Sequence, residues 1–286
     1  MERASDNAVR FFADLRRSGV GMVGLGLIAV WVAAALLAPY LAPHDPAAPL
    51  KPFAKPGEAF DDGVLILGAD ALGRDILSRL LFGARTVLLY AISATALAYV
   101  VGVGMGLLAG YYRGWVDGVL SFLANVVLSF PVLVLYILIL STVGASGANV
   151  FVAVVFASAP GVMRIVRGLV LDVRSRPFVE AAQLRGEPVL YVLLVEILPN
   201  VRGPLIVDGC LRLGYVIITI GVLGFLGLGL PPPSPDWGGM IREARQVALA
   251  FPHMTLAPAI AISSLVLGFN LLADGLRDIT QEGTAA

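Results

Sequence analysis

The chain of 286 residues is 58% apolar and only 14% charged, which lies well outside the composition of soluble globular proteins. Its mean hydropathy of +0.87 indicates a protein that crosses a membrane several times. Twenty basic residues balance twenty acidic residues, so the formal net charge is zero and nothing favours a nucleic-acid partner.

Six apolar runs are long enough to cross the hydrocarbon core of a bilayer, which is roughly 30 Å thick and needs about 20 helical residues. They cover residues 19–42, 86–110, 118–142, 147–170, 205–230 and 254–273. Because backbone amides in lipid must bond within their own segment, these runs predict helices. The sequence therefore predicts an all-α fold, a polytopic membrane protein with six transmembrane helices.

The order of these runs divides the chain into four parts. We expect an N-terminal cytoplasmic tail at 1–18, a first transmembrane helix at 19–42, an extracytoplasmic loop at 43–85 and a five-helix core at 86–280. With a cytoplasmic N-terminus, twelve basic residues fall inside and seven outside, the bias that the positive-inside rule predicts. Both chain termini are therefore expected in the cytoplasm.

Residues that could hold a nucleotide or a metal ion are scarce. The phosphate-binding loop of ATPases ends in Gly-Lys-Ser or Gly-Lys-Thr, but the only lysines, Lys51 and Lys55, lack that context. The only histidines, His44 and His253, belong to no His-Glu-x-x-His zinc helix. These absences argue against an enzyme, and we expect this chain to hold no catalytic residue, ATP or metal ion of its own.

Ionisable residues that the sequence places deep in the spans are also few. Asp208 and Arg212 lie four positions apart on one helical face, where they can pair with each other. Secondary transporters usually carry several intramembrane charges and two matching halves. A secondary transporter is therefore disfavoured, although it stays an alternative.

Glycine and proline are placed regularly in three of the predicted spans. Gly102, Gly106 and Gly110 recur every four residues, so they share one stripe of a helix and let another helix approach closely. This stripe predicts helix packing, within the chain or between subunits, more than pore lining. Pro131 and Pro160 each remove a helical donor and predict bends in the third and fourth spans.

One polar segment interrupts the apolar runs, "FVEAAQLRGEPVLYVLLVEILPN" at 178–200. Glu180 to Arg185 favours a helix, Gly186 suits its C-terminal cap, and Pro188 suits the first turn of a new helix. The second helix is expected from Val189 to Leu198, where Pro199 either stops it or begins the next element. The segment is thus predicted to be two helices joined by a sharp turn.

The same segment resembles the EAA loop of ABC importer permeases, with "EAAQLRG" followed after nine residues by "EILPN". Four other stretches resemble the dipeptide, oligopeptide and nickel branch of that family, and within it the second, C-type permease subunit. They are "LGADALGRDILSRLLFGAR" (67–85), "APGVMRIVRGLVLDVRSRPFVEAA" (159–182), "LGFLGLGLPPPSPDWGGMI" (223–241) and "GFNLLADGLRDI" (268–279). The likeness extends over nearly the whole chain from about residue 19.

The resemblance implies a type I ABC importer permease fold in a bacterial or archaeal cell membrane. The EAA positions that it implies for docking to a separate ATPase are Glu180, Ala181, Ala182, Leu184, Arg185 and Gly186. The outer-face signature of the branch matches Gly73, Arg74, Asp75 and Arg79. The implied partners are a second permease subunit forming a heterodimer, one or two ATPase subunits that use ATP and magnesium, and an extracytoplasmic binding protein.

Several positions depart from the pattern of the branch. Glu196 stands where a basic residue or histidine is common, and Glu187-Pro188 replaces a pair of small residues. Phe122 and Asn125 stand where arginine and aspartate are frequent, so ion pairs of the family near the inner membrane face are in question. The substrate is expected to be a di- or oligopeptide, with nickel chelates or oligosaccharides as alternatives.

Overall fold

The computed structural model describes residues 18–60, 63–231 and 234–285, with side chains as far as Ile279. Within these ranges the chain forms ten α-helices, one π-helical segment and one β-hairpin. The helices are α1 (Gly19–Leu41), α2 (Ile76–Tyr112), α3 (Gly114–Leu128), α4 (Val132–Val143), α5 (Gly147–Val173), α6 (Pro177–Leu184), α7 (Val189–Tyr191), α8 (Leu198–Leu226), α9 (Trp237–Ala244) and α10 (His253–Ala285). The π-helical segment, Val192–Ile197, joins α7 to α8. The predicted N-terminal tail lies outside the described residues except for Ser18, which caps α1 through its hydroxyl.

Five helical stretches are long and apolar enough to cross a membrane, namely α1, α2, α5, the stretch Val189–Leu226 and His253–Ile279 of α10. A sixth span results if α3 and α4 are counted together. These two helices are bent by 85° relative to each other, so the span predicted over 118–142 is broken at the bend expected from Pro131. The break falls at Ser129–Pro131 because proline has no backbone N–H to continue the helix. The predicted all-α class is confirmed.

Several helix boundaries differ from those expected from hydropathy alone, and two of them have a local cause. Helix α2 begins at Ile76, ten residues before the apolar run, because Asp75 accepts hydrogen bonds from the backbone N–H groups of Leu77 and Ser78. Helix α8 ends at Leu226 rather than at 230. Gly227 follows with a φ of 80°, a left-handed conformation that stops a helix and favours glycine.

The segment between α1 and α2 contains the only strands in the described part of the chain. Strand β1 (Glu58–Phe60) pairs antiparallel with β2 (Gly63–Leu65), and Glu58 lies opposite Leu65. Buried Ala54, Leu65 and Ala69 form a small apolar cluster beneath this hairpin. The sequence reading missed the hairpin, since three-residue strands carry no measurable period.

The chain divides into two compact units, and the division falls within α2, α5 and α8. The terminal unit comprises the described parts of Met1–Ile92, Gly144–Val150 and Cys210–Ala286. Its main contact is between α1 and α10, where glycines bring the two backbones together. A Cβ atom added at Gly24 would lie 2.6 Å from the carbonyl oxygen of Gly268, so only glycine fits there.

The central unit comprises Ser93–Val143 and Phe151–Gly209. Here the glycine stripe of α2 lies directly against α5 of the same chain. A Cβ atom at Gly106 would lie 2.5 Å from Cβ of Val166, and one at Gly110 would lie 2.7 Å from Cβ of Val170. Gly102 meets Val162 in the same way. The stripe is therefore an intrachain packing surface, and it holds α2 against α5, the helix that leads into the EAA loop.

Candidate functional site

Helix α6 carries the first half of the EAA loop and has one buried and one exposed side. Val179 and Ala182 are fully buried among the apolar residues of the central unit. Glu180, Ala181 and Leu184 are exposed, and Leu184, the last residue of the helix, is 89% exposed. The helix therefore presents a small exposed surface that includes one large apolar side chain.

The burial of Ala182 corrects one expectation from the resemblance. The sequence reading placed both alanines on the docking surface, but Ala182 packs on its own chain. The two residues are adjacent on a helix, so their side chains point about 100° apart and cannot both face outward. Ala182 positions α6, and only Ala181 leaves room for a partner.

Gly186 ends α6 as the sequence predicted. Its φ is 76°, its N–H donates to the carbonyl of Gln183 at 2.9 Å, and the N–H of Glu187 donates to the carbonyl of Ala182 at 3.2 Å. This pair of bonds is the Schellman arrangement, which satisfies two carbonyls left free at the helix end. Pro188 lies one residue before α7, at its cap rather than within its first turn.

The second half of the EAA loop is not a separate helix. Residues Val192–Ile197 form a π-helical segment that passes directly into α8, so the interpretation of Pro199 as a stop is wrong. Proline is tolerated at the start of an α-helical stretch because its missing N–H has no necessary partner there. The side-chain amide of Asn200 donates to the carbonyl of Glu196 at 2.6 Å and strengthens this junction.

Glu196, whose charge departs from the family pattern, has a partner within the loop. A guanidinium nitrogen of Arg185 lies 3.4 Å from its carboxylate, and another lies 3.6 Å from the carboxylate of Glu187. Pairs this exposed contribute about 0–1 kcal/mol each, so they orient the Arg185 side chain more than they stabilise the fold. Glu187 and Glu196, the two acidic residues that depart from the family pattern, thus both pair with Arg185.

Three residues of the outer-face signature form a tight turn before α2, and the fourth, Arg79, lies in the first turn of that helix. Gly73 has a φ of 84°, and its carbonyl accepts from the N–H of Leu50 at 2.8 Å. A Cβ atom at Gly73 would also lie 3.1 Å from the backbone nitrogen of Pro52, so the residue combines a left-handed conformation with a close approach. Asp75, one of the four signature residues, is the N-cap of α2 described above.

The two signature arginines belong to a four-charge network in the terminal unit. Arg74 donates to Asp70 at 2.7 Å and pairs with Glu243, while Arg79 pairs with Asp70 and donates to Glu243 at 2.8 Å. Arg79 is only 3% exposed, and two carboxylates balance the two guanidinium groups. Such a network is favourable only with all members present, because a lone buried charge would remain if one were lost.

Two cavities of about 250 Å³ each flank this network, and both are lined by Arg74, Arg79 and Glu243. The first also reaches Asp236, which caps α9 by accepting from the N–H groups of Gly238 at 3.3 Å and Gly239 at 3.1 Å. Next to Asp236, the buried indole of Trp237 donates to the carbonyl of Leu80 at 3.0 Å. These contacts fix α9, and with it Glu243, against the start of α2.

Asp236 gives the terminal unit a pH dependence. Its burial raises the pKa of the carboxyl to about 6 from the ordinary 3.8, although the two backbone N–H groups and Arg79 act against this. Because the folded-state pKa lies above the unfolded value, protonation of Asp236 stabilises the folded state. This stabilisation is complete below pH 3.8 and is lost as pH rises through 6. We expect lowering the pH from 7 to 5 to stabilise the wild type, relative to Asp236→Asn, by on the order of 1 kcal/mol. Thermal unfolding of both proteins at the two pH values measures this difference. If the stability difference between wild type and variant were the same at pH 7 and pH 5, Asp236 would not be the group that titrates.

Two further polar contacts join α3 and α5 in the central unit. Two of the three guanidinium nitrogens of Arg167 donate to the two carboxylate oxygens of Asp117, at 2.5 and 2.6 Å. Arg164 donates to the side-chain oxygen of Asn125 at 2.8 Å. Whether ion pairs persist in this part of the chain was in question from the sequence alone. Asp117 and Arg167 form one, whereas the partner of Arg164 is the neutral amide of Asn125.

Sequence reasoning missed several of these residues for different reasons. Asp70 lies four positions before Arg74 within the quoted signature, so its spacing could have revealed it. Glu243 is separated from Arg79 by 164 residues, and no local pattern connects them. Tyr99, whose hydroxyl donates to the carboxylate of Asp208, lies 109 residues away along the chain, and no local pattern connects the two.

Two family models match the sequence. The model described as "Binding-protein-dependent transport system inner membrane component" matches residues 102–284. A second, "N-terminal TM domain of oligopeptide transport permease C", matches residues 8–56. The first spans more than half of the chain and includes α3 to α9 with the EAA loop, and the second includes α1.

Curated relatives extend the match to almost the full length. The glutathione transport system permease protein GsiD of Pectobacterium atrosepticum is 42% identical over 212 residues, covering 74% of this chain and 70% of the relative. The dipeptide transport system permease proteins DppC of Haemophilus influenzae and Alkalihalophilus pseudofirmus are 34% and 35% identical, covering 94% and 93% of this chain and 92% and 87% of theirs. Proteins of this kind are non-catalytic transport subunits of the inner membrane. The chain therefore belongs to the family of binding-protein-dependent transport system inner membrane components, as an ABC importer permease of the peptide branch.

Proposed function

We propose that this chain forms one half of the transmembrane pathway of an ABC importer for short peptides and couples that pathway to a separate ATPase through the EAA loop. The observation that carries the proposal is the exposed surface of α6. Leu184 projects from a short helix that is anchored below by buried Val179 and Ala182 and ended rigidly by Gly186. A leucine so exposed on a firmly held helix favours insertion into an apolar groove of a partner.

In this proposal the ATPase subunits hold ATP and magnesium, and α6 transmits their movement. Glu180, Ala181, Leu184 and Arg185 would contact the ATPase, whereas Gly186 sets the turn. Because the π-helical segment runs without interruption into α8, a displacement of α6 would act directly on a membrane-spanning helix. The three glycines of α2 pack on α5, the helix that leads into the loop, and would keep α2 and α5 moving together.

The orientation of the chain follows from the same proposal. The EAA loop lies in the cytoplasm with both termini, which agrees with the distribution of basic residues. The turn of Gly73 and Asp75 and the Asp70–Arg74–Arg79–Glu243 network then lie at the outer face. There they would receive an extracytoplasmic binding protein, while a second, different permease subunit completes the pathway.

Short peptides are the proposed substrates because the relatives are named for the transport of glutathione and of dipeptides. Glutathione is itself a small peptide-like solute, so both names indicate the same chemical class. Nickel chelates and oligosaccharides, and a non-ABC secondary transporter, are the alternatives that an experiment should exclude.

The test is uptake by the complete transporter in proteoliposomes, assembled from both permeases, the ATPases and the binding protein. We expect dipeptide or glutathione uptake that requires ATP on the side of the membrane that the ATPase subunits face. This uptake should persist when proton and sodium gradients are collapsed. Uptake that follows an ion gradient without ATP would identify a secondary transporter instead. Uptake of a nickel chelate or oligosaccharide in preference to peptides would overturn the substrate class.

A further inference from the structure

Arg164 is a charged side chain within a membrane-spanning helix. It lies nine residues before the end of α5 at Val173, which places it about 14 Å along the helix from that end. Charges at such positions are costly and mostly face a bundle interior or a water-filled cavity, where they mark the path of a substrate or ion. The environment of Arg164 therefore calls for an explanation in terms of function.

Arg164 has a hydrogen-bond partner but no opposite charge. Its guanidinium donates to the neutral side-chain oxygen of Asn125, and among the described residues no carboxylate forms an ion pair with it. Arg167, one turn away, is bonded at two points by Asp117, which also accepts from the hydroxyl of Ser121 at 2.8 Å. The charge of Arg167 is thus neutralised, and the group as a whole keeps one positive charge, that of Arg164.

A cavity of about 370 Å³ opens at this group, within the size range of small-molecule pockets. Its lining comes from α3 and α5 and consists of Ser121, Ala124, Asn125, Met163, Arg164 and Arg167. Buried Ala124 and Met163 form an apolar base with Ala109. The exposed guanidinium of Arg164 and the amide of Asn125 provide hydrogen-bonding groups of the kind that a peptide needs.

We propose that Arg164 binds the carboxylate group of the transported peptide during its passage through this cavity. The inference rests on the proposed function and extends it by naming a contact in the pathway. A planar guanidinium matches a carboxylate through two parallel N–H···O bonds, which are stronger than bonds between neutral groups because both partners are charged. Asn125 is central to the site, because an aspartate at the same place would neutralise Arg164 internally.

The expected occupant is a solute rather than a lipid phosphate. The cavity is small, has an apolar base and offers an amide beside the cation, which suits a compact group that carries both a carboxylate and a peptide bond. A lipid headgroup would bring a phosphate of similar charge, so the experiment must distinguish the two sources.

The test is peptide binding to the complete transporter in nanodiscs of phosphatidylcholine, with the binding protein left out. Titration followed by saturation-transfer NMR compares trialanine with trialanine amide, which lacks the carboxylate. We expect Arg164→Gln and Asn125→Asp to weaken trialanine binding about tenfold, the value of one charge-assisted contact, and to leave the amide unaffected. Arg164→Lys keeps the charge but not the two parallel N–H groups, so it should lose less binding than Arg164→Gln. Arg202→Gln, which removes an exposed arginine of α8 outside the cavity, should retain all of the binding.

Three results would overturn this proposal. The first is equal trialanine binding in the wild type and Arg164→Gln, and the second is equal binding of trialanine and its amide to the wild type. The third is a change in Arg164→Gln confined to the amount of phosphatidylglycerol that co-purifies, which would identify the anion as a lipid phosphate. Because binding is measured without turnover, a wild type that binds trialanine but shows no ATP-driven uptake would refute the importer function and not the site.

Discussion

Replacing Leu184 with aspartate is expected to abolish ATP-driven uptake while leaving the permease folded. Leu184 is 89% exposed, so its substitution removes no contact from the chain's own core. If it fills an apolar groove of the ATPase, the change loses an interface anchor and places a charge in an apolar site. Such anchors contribute about 2 kcal/mol or more, so the affinity for the ATPase should fall at least about thirtyfold. Co-purification of the ATPase with the permease pair and peptide uptake in proteoliposomes measure the two effects.

Leu249 supplies the matched control. It is a leucine of the terminal unit, 103% exposed, outside the EAA loop and outside every candidate span. Leu249→Asp makes the same chemical change at an equally exposed position, so it should leave both ATPase association and uptake unchanged. If Leu184→Asp behaved like Leu249→Asp, α6 would not be the docking surface.

Replacing Gly106 with valine is expected to prevent α2 from packing on α5. The added Cβ atom would lie 2.5 Å from Cβ of Val166 and 2.8 Å from the carbonyl oxygen of Met163, distances that real Cβ atoms do not adopt. Relief requires the helix backbones to separate, and overpacking of this kind costs about 1–3 kcal/mol or more. We expect a strongly reduced yield of folded protein and a lower unfolding temperature, measured by size-exclusion chromatography and thermal scanning.

Gly104 is the matched control for this change. It lies in the same helix two residues earlier, but a Cβ atom added there meets no atom within 4 Å. Gly104→Val therefore repeats the change in helix propensity and hydrophobicity without the collision. A similar loss of stability in both variants would mean that glycine is required in α2 for a reason other than contact with α5.

Local sequence was sufficient to predict the structure wherever the conformation of a segment depends mainly on its own residues. The apolar runs predicted the membrane-spanning class, and the bend at Pro131 and the turn at Gly186 were predicted because proline lacks a donor and glycine adopts positive φ. At Pro199 the same reasoning left two alternatives, a stop or the beginning of the next element. The structure has the second, since α8 begins at Leu198 directly after the π-helical segment.

The tertiary structure alone decided which residues act together. Ala181 and Ala182 look equivalent in the EAA motif, yet the fold buries one and exposes the other because only one side of α6 faces the central unit. Glu243 joins Arg74 and Arg79 across more than 160 residues, and Asn125 meets Arg164 across 39. The sequence by itself determined that the apolar runs form membrane-spanning helices and that Pro131 and Gly186 interrupt helices, because those choices depend on bonds between neighbouring residues. The partners of its charges depend on how those helices pack, so their identity follows from the fold.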